Sequence, residues 1–283
     1  MDTAILLSPS LINRPGAPKL VKNATVYLGD EFCIHKQPSF ADFAAVRKLT
    51  GKAPVLVGTL LTESAFESWA GLLSECVRKA PGAEIVVNDL GLLHFINKNY
   101  RGRFRITLGR LMTYFFDPKE RRVPGSKTDS GWMEGGKLKS WEARRNDTPI
   151  GYIKNFLKRY AVERVETDNE YIFRKYADNT DVKISFHYPL RLMAVTRFCP
   201  FRGGIAPGCK APCGSRLLKL ETPHMDYCVF SKGNAYFVKN RLIKHPRVDR
   251  KVVTSFVRSP GFRQILNKYA YPDGPGTGAR EKG

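Results

Sequence analysis

Three thiols fall within fifteen residues in Cys199-Pro200-Phe201-Arg202-Gly203-Gly204-Ile205-Ala206-Pro207-Gly208-Cys209-Lys210-Ala211-Pro212-Cys213, with nine and then three residues between them. Seven of the fifteen residues from Pro200 to Gly214 are Gly or Pro. Such a composition forms no regular helix or strand, but it lets a loop wrap a central ion. A soft metal centre needs thiolates converging from several directions, and a tetrahedral site or a cubane cluster takes four. Arg197, Arg202 and Lys210 would offset the negative charge of such a set. Spacing leaves the fourth ligand open. Cys228 is nearest, with fourteen residues between it and Cys213, while Cys33 and Cys76 are distant in sequence. Cys76 falls in an amphipathic stretch with Leu72, Leu73 and Val77 and reads as a small buried hydrophobe. Zinc sites usually pair their ligands as C-x₂₋₄-C twice, and only one such pair exists here; the ferredoxin run C-x₂-C-x₂-C-x₃-C is absent too. Cys33 lies just beyond a strand-like run, and Cys228 inside a hairpin pattern.

The chain that must position these thiols has 283 residues, of which 42% are hydrophobic and 26% charged, a globular composition that excludes global disorder and fibrous repeats. Its 47 Lys and Arg against 26 Asp and Glu give +21, with an isoelectric point near 9.9. Such a field attracts anions: nucleic acid, acidic lipid headgroups, small polycarboxylates or an acidic protein. No run approaches the roughly 20 apolar residues that a membrane span needs. The opening Met1–Pro9 stretch lacks the basic region and long apolar core of a secretory signal, so a cytoplasmic location with reduced thiols is expected.

Strand-like runs recur about every thirty residues, the length of a strand, a helix and two loops. They are clearest at 25–30, 54–59 and 83–89, with further candidates at 104–109, 162–167, 182–186, 191–195 and 252–257. Residues 227–230 and 235–238, joined at Ser231-Lys232-Gly233-Asn234, read as a β-hairpin. Residues 62–80 place Phe66, Trp69, Leu72, Leu73 and Val77 on one helical face. Apolar strands alternating with helices predict an α/β fold, a TIM-barrel-like (β/α) barrel, whether regular, incomplete or irregular, with a Cys-rich loop and a β-hairpin attached. The expected organisation is one domain over 1–270 with a basic loop insertion at about 117–149, followed by a flexible tail at 271–283. No G-x-G-x-x-G follows a strand and no Walker A loop is present. In a barrel the chemistry belongs at the C-terminal strand ends. Those ends carry Asp30 and Cys33, Asn88 and Asp89, Arg110, and Glu166 with Asp168. The five histidines form no ligand spacing and stay unassigned.

Residues 97–160 carry a net +10 and residues 239–268 a net +8. Within 117–149, Trp132 and Trp141 interleave with Lys137, Lys139, Arg144 and Arg145, a pattern able to stack on and neutralise single-stranded nucleic acid. A solvated basic loop whose tryptophans fold back on the barrel would read the same way.

Several of these segments are similar to one family. Val26-Tyr27-Leu28-Gly29-Asp30-Glu31-Phe32-Cys33 resembles the first strand and cysteine of the UbiV proteins, in the collagenase-like peptidase superfamily. Val86-Val87-Asn88-Asp89-Leu90-Gly91 resembles that superfamily's N/S-D-x-G step, and Leu108-Gly109-Arg110-Leu111 its next strand end. Pro189-Leu190 followed by Cys199, Cys209 and Cys213 resembles the family's Pro-Leu strand, single Cys and C-x₃-C pair. The matches span about residues 20–260. The resemblance implies a TIM-barrel-like fold with one [4Fe-4S] cluster on Cys33, Cys199, Cys209 and Cys213. It also implies a heterodimer with a UbiU-like subunit, acting in oxygen-independent hydroxylation of a ubiquinone precursor with prephenate as oxygen donor. On this reading Arg110, at the barrel mouth, would hold the donor's carboxylates through bidentate bonds. Other superfamily members hydroxylate RNA, which the strong basicity would suit. Neither H-E-x-x-H nor G-x-S-x-G occurs, so protease activity is not expected. A Cys₄ zinc scaffold without redox activity is the third reading.

Overall fold

The computed structural model describes residues 2–13, 16–21, 23–116, 148–196, 199–202, 209–210, 213, 217–220, 228–240 and 243–254. Eight parallel strands close a barrel: β1 (Asp2–Leu7), β2 (Thr25–Gly29), β3 (Val55–Val57), β4 (Glu84–Val87), β5 (Arg105–Leu108), β6 (Val162–Thr167), β7 (Lys183–His187) and, last in the chain, a strand at Val248–Thr254. Between β7 and that last strand the chain adds β8 (Leu190–Val195), β9 (Leu218–Leu220), β10 (Val229–Lys232) and β11 (Ala235–Lys239), which makes the closing strand β12. Around the barrel the order is β1-β12-β7-β6-β5-β4-β3-β2; the other four strands form a separate antiparallel sheet in the order β8-β11-β10-β9.

The helices are α1 (Ala17–Val21), α2 (Phe40–Thr50), α3 (Glu63–Lys79), α4 (Leu90–Asn99), α5 (Arg110–Phe116), α6 (Ile150–Arg159) and α7 (Glu170–Asn179). Each starts or stops for a local reason. Ser39 and Asp42 form a reciprocal capping box at the start of α2, and Gly51 ends it at φ 71°. Asp89 caps α4 through Leu92 N at 2.8 Å, and Asn169 caps α7 through Tyr171 N at 2.8 Å. The α3 face expected from the sequence buries Trp69, Leu72, Leu73 and Cys76 against the barrel wall. Among the described residues no helix is long and apolar enough to cross a membrane.

Two strands depart from the sequence reading. Residues 2–7, read there only as lacking a signal pattern, are the first barrel strand and pair in parallel with both β12 and β2. The next helix, α1, has only five residues, so the usual strand–helix rhythm is hidden at this end. Conversely, residues 191–195 are a strand but not a barrel strand. Leu190 follows His187 by three residues, too few for the crossover that a parallel neighbour requires, so β8 joins the antiparallel sheet instead. The hairpin forms as β10 and β11 with a two-residue turn at Gly233-Asn234, Gly233 having φ 61°. The 117–147 part of the basic segment, with Trp132 and Trp141, and the 271–283 tail lie outside the described residues.

Inside the barrel the side chains form layers. Ala4, Leu6, Tyr27, Val55, Val57, Val86 and Val252 make a buried apolar cluster drawn from β1, β2, β3, β4 and β12. Toward the N-terminal strand ends, Arg250 reaches across to Glu84 Oε1 at 2.8 Å and to the Tyr27 hydroxyl at 2.9 Å. Thr107 donates to the same Glu84 oxygen at 2.9 Å, and Arg164 Nε lies 3.7 Å from it. Burial works to raise the Glu84 carboxyl, but Arg250, Thr107 and Arg164 together outweigh it and hold the group below its usual range.

Candidate functional site at the barrel mouth

The loop after β2 is built around Asp30. Its Oδ1 accepts from Phe32 N at 3.0 Å and Cys33 N at 3.2 Å, fixing the turn that presents Cys33. Gln37 then donates from Nε2 to the Asp30 and Cys33 carbonyls at 3.1 and 3.0 Å and is itself held by Trp69 Nε1 at 2.9 Å. Buried Lys36 sits 3.9 Å from Asp30 and donates to the Cys213 thiol, close enough that Cys33 and Cys213 both favour its charge. Two thiols 180 residues apart in sequence therefore converge on one lysine at the C-terminal end of the barrel. Burial, followed by the Asp30 charge, pushes the Cys33 thiol up to about 11. Binding a metal there means displacing a proton, as for any thiol ligand.

Cys199 and Cys209 are half-buried, and Cys213 is buried. Among the described residues no group of three or more cysteines gathers around the space of a single ion. A cubane places each thiolate on a different iron, so its ligands stand farther apart than those of one ion. Cys33 and Cys213 come from distant parts of the chain and both lie beside Lys36. Cys228 lies against the core at the start of β10, its thiol 3.8 Å from the Val229 carbonyl, and Cys76 is in the core as expected.

Arg110 is the hinge of the mouth. Only 1% exposed, it donates from Nε and Nη2 to Glu31 at 2.9 and 2.7 Å and from Nη1 to Asp168 at 2.8 Å. Burial opposes its charge, but Glu31 and Asp168 more than restore it and raise the guanidinium above its ordinary value. Its faces lie near Phe32 and Phe237, 5.1 and 5.6 Å from the ring centroids. The carboxylate role expected for a small donor is thus filled by two protein carboxylates. Arg110 stands at the barrel mouth as expected, buried and paired with two carboxylates of the chain itself.

Asp168 ties the second sheet to the barrel. Its Oδ1 accepts from the Tyr114 hydroxyl at 2.6 Å and its Oδ2 from Leu192 N at 2.7 Å. Asn240 adds bonds to the Asp168 and His187 carbonyls at 2.8 and 3.0 Å, and Asn234 joins the Phe32 and Thr196 carbonyls at 2.9 and 2.7 Å. The β8–β11 side of the sheet thereby covers the mouth.

Asn88 and Asp89, by contrast, are structural. Asn88 donates to the Gly58 carbonyl at 2.9 Å and accepts from Leu111 N at 3.1 Å, stitching the ends of β3, β4 and β5. A Cβ on Gly109 would overlap the Asn88 amide, which explains the glycine in the Leu-Gly-Arg step. Asp89 is spent on capping α4.

The sequence reading missed two residues of the mouth, Glu31 and His187. Ligand atoms from Glu31, Glu166 and His187 lie within 4.8 Å of one another, and all three residues are buried. Their signal was present but local: His187 ends β7 as Glu166 nearly ends β6, and only closure of the barrel brings both opposite Glu31. Alongside the mouth runs a groove of about 410 Å³ lined mainly by apolar side chains, among them Leu60, Leu90, Leu111, Phe115 and Met193.

Comparison with family models, with curated proteins and with solved structures finds no match to this chain.

Proposed function

We propose that this chain is a UbiV-like iron–sulfur subunit of an oxygen-independent hydroxylase. In this reading it acts in the cytoplasm with a UbiU-like partner on a ubiquinone precursor, with a small carboxylate such as prephenate as oxygen donor. The observation that carries the proposal is the convergence of Cys33 and Cys213 on Lys36 at the mouth of a closed (β/α) barrel, the face where such barrels do their chemistry. Cys199 and Cys209 complete the proposed ligand set. When bound, a four-iron cluster supplies one-electron chemistry whose potential depends on nearby charge and burial.

The chain's own residues have definable parts in this reading. Asp30 sets the Cys33 turn, and Lys36 offsets thiolate charge. Arg110 acts as a positioning residue that holds Glu31 and Asp168 in place beneath the second sheet. The apolar groove beside the mouth suits an aromatic ring bearing a hydrocarbon tail, the chemistry of a quinone precursor.

The test is metal and sulfide analysis with absorption and EPR spectra on protein purified without oxygen, repeated for Cys33→Ala and Cys228→Ala. The proposal expects about four irons and four sulfides, kept in Cys228→Ala and lost in Cys33→Ala. One zinc and no chromophore would instead leave a structural scaffold.

The +21 charge favours a second reading, in which the substrate is RNA. It expects RNA affinity that falls steeply with salt as counterions are released, and salt-insensitive or absent binding would remove it.

A further inference from the structure

Glu166 is fully buried, and among the described residues its Oε1 has no hydrogen-bond partner. Among the described residues its other oxygen pairs with His187 Nε2, at 3.1 Å. A buried carboxylate is costly unless a cation or a full set of donors faces it. The neighbouring cations are engaged elsewhere: Arg110 serves Glu31 and Asp168 together, and Lys36 and Lys232 face Asp30 at 3.9 and 3.8 Å. Yet Glu31 brings a second carboxylate oxygen into the same 4.8 Å space. Two buried carboxylates and an imidazole place donor atoms within this space, and one Glu166 oxygen is left over, so a cation between them would satisfy all three.

We propose that Glu31, Glu166 and His187 form a mononuclear site for a divalent first-row cation, separate from the cysteines. Two oxygen donors and one imidazole suit manganese, iron(II) or zinc better than calcium, which takes oxygens alone, or copper(I), which prefers sulfur. The ion replaces the Glu166–His187 contact with two coordinate bonds and gives the idle Oε1 a partner. Arg110 stands behind Glu31 and fixes its orientation, the supporting hydrogen bond that ligating carboxylates ordinarily have. Three protein ligands leave coordination positions open at the C-terminal end of the barrel. The site does not depend on the iron–sulfur reading.

The probe is Mn²⁺, which disfavours thiolate and so reports on this site rather than the cysteines. Chelator-treated full-length protein is titrated anaerobically with Mn²⁺, and free ion is followed by EPR. One Mn²⁺ per chain is expected, and its electron spin-echo spectrum should show nitrogen coupling from the His187 ring. Glu166→Gln and His187→Asn should each weaken binding by about 100-fold or more, since loss of even a supporting residue costs 10–100-fold. Cys33→Ser should bind Mn²⁺ unchanged even where it abolishes any cluster. Absence of stoichiometric Mn²⁺, or bound Mn²⁺ without nitrogen coupling, overturns the proposal on the wild-type protein alone. Unchanged affinity in folded Glu166→Gln and His187→Asn overturns it as well.

Discussion

At the N-terminal end of the barrel, Glu84 spends both oxygens on Arg250, with Thr107 and Arg164 filling the remaining directions. At the C-terminal end, Glu31, Asp168 and Glu166 crowd around Arg110 and His187, and one Glu166 oxygen is left without a partner. Both networks are buried, and both cross the barrel between opposite strands. The first is closed: both Glu84 oxygens are hydrogen-bonded, and it serves as a plug that ties β2, β4, β6 and β12 together. The second is open, and it adjoins the converging thiols and the apolar groove. In parallel barrels stability concentrates at the bottom and chemistry at the top, and the closed network here lies at the bottom and the open one at the top.

The comparison can be broken most forcefully at the plug. Arg250→Met strands Glu84 inside the barrel and should cost about 3–5 kcal/mol, read as a shift of the urea midpoint. Arg110→Met does the same to Glu31 and Asp168 and should cost a similar amount, about 3–5 kcal/mol. A near-neutral result there would mean that Glu31 and Asp168 do not depend on Arg110 for their burial.

The plug also predicts a pH dependence. Because the folded Glu84 carboxyl lies below its unfolded value, its contribution is fully present above the unfolded value and is lost as pH falls through the folded one. The stability gap between wild type and Glu84→Gln should therefore be full near about pH 6 and shrink below about pH 4, near the usual glutamate range. A gap that widened on acidification would contradict the assignment.

Gly109→Ala, which displaces Asn88 from its two bonds, should cost about 1–3 kcal/mol by the same unfolding measurement. The smallest effect sharpens the contrast. Glu166→Gln removes a buried carboxylate that no Lys or Arg pairs among the described residues, so in metal-free protein stability should change by about 1 kcal/mol or less. A loss as large as that of Arg250→Met would mean the mouth is a second plug.

Much of the barrel was legible because apolar β-branched strands and an amphipathic α3 leave periodic traces. What stayed hidden depended on closure. The 2–7 strand has no full helix after it to announce a unit, and β8 looks like any other strand until the short link from His187 excludes it from the parallel sheet. Asp30, Arg110, Glu166 and Asp168 were visible as polar strand ends. Their partners were not: Arg110 looked like a free cation because Glu31 lies 79 positions away, and His187 looked isolated because Glu31 and Glu166 come from other strands. Cys33 was visible as a thiol at a C-terminal strand end, but spacing alone left Cys33 and Cys228 open, and only the fold brings Cys33 and Cys213 to the same lysine.

The most direct test of the central claim, that the thiols at the mouth hold an iron–sulfur centre, is the intact mass of the chain by native mass spectrometry on anaerobically purified protein. The account predicts the added mass of one four-iron, four-sulfide cluster, absent from a folded Cys213→Ser variant and retained in Cys228→Ala. A wild-type chain carrying a single zinc ion, or a cluster that survives loss of Cys213, would contradict it.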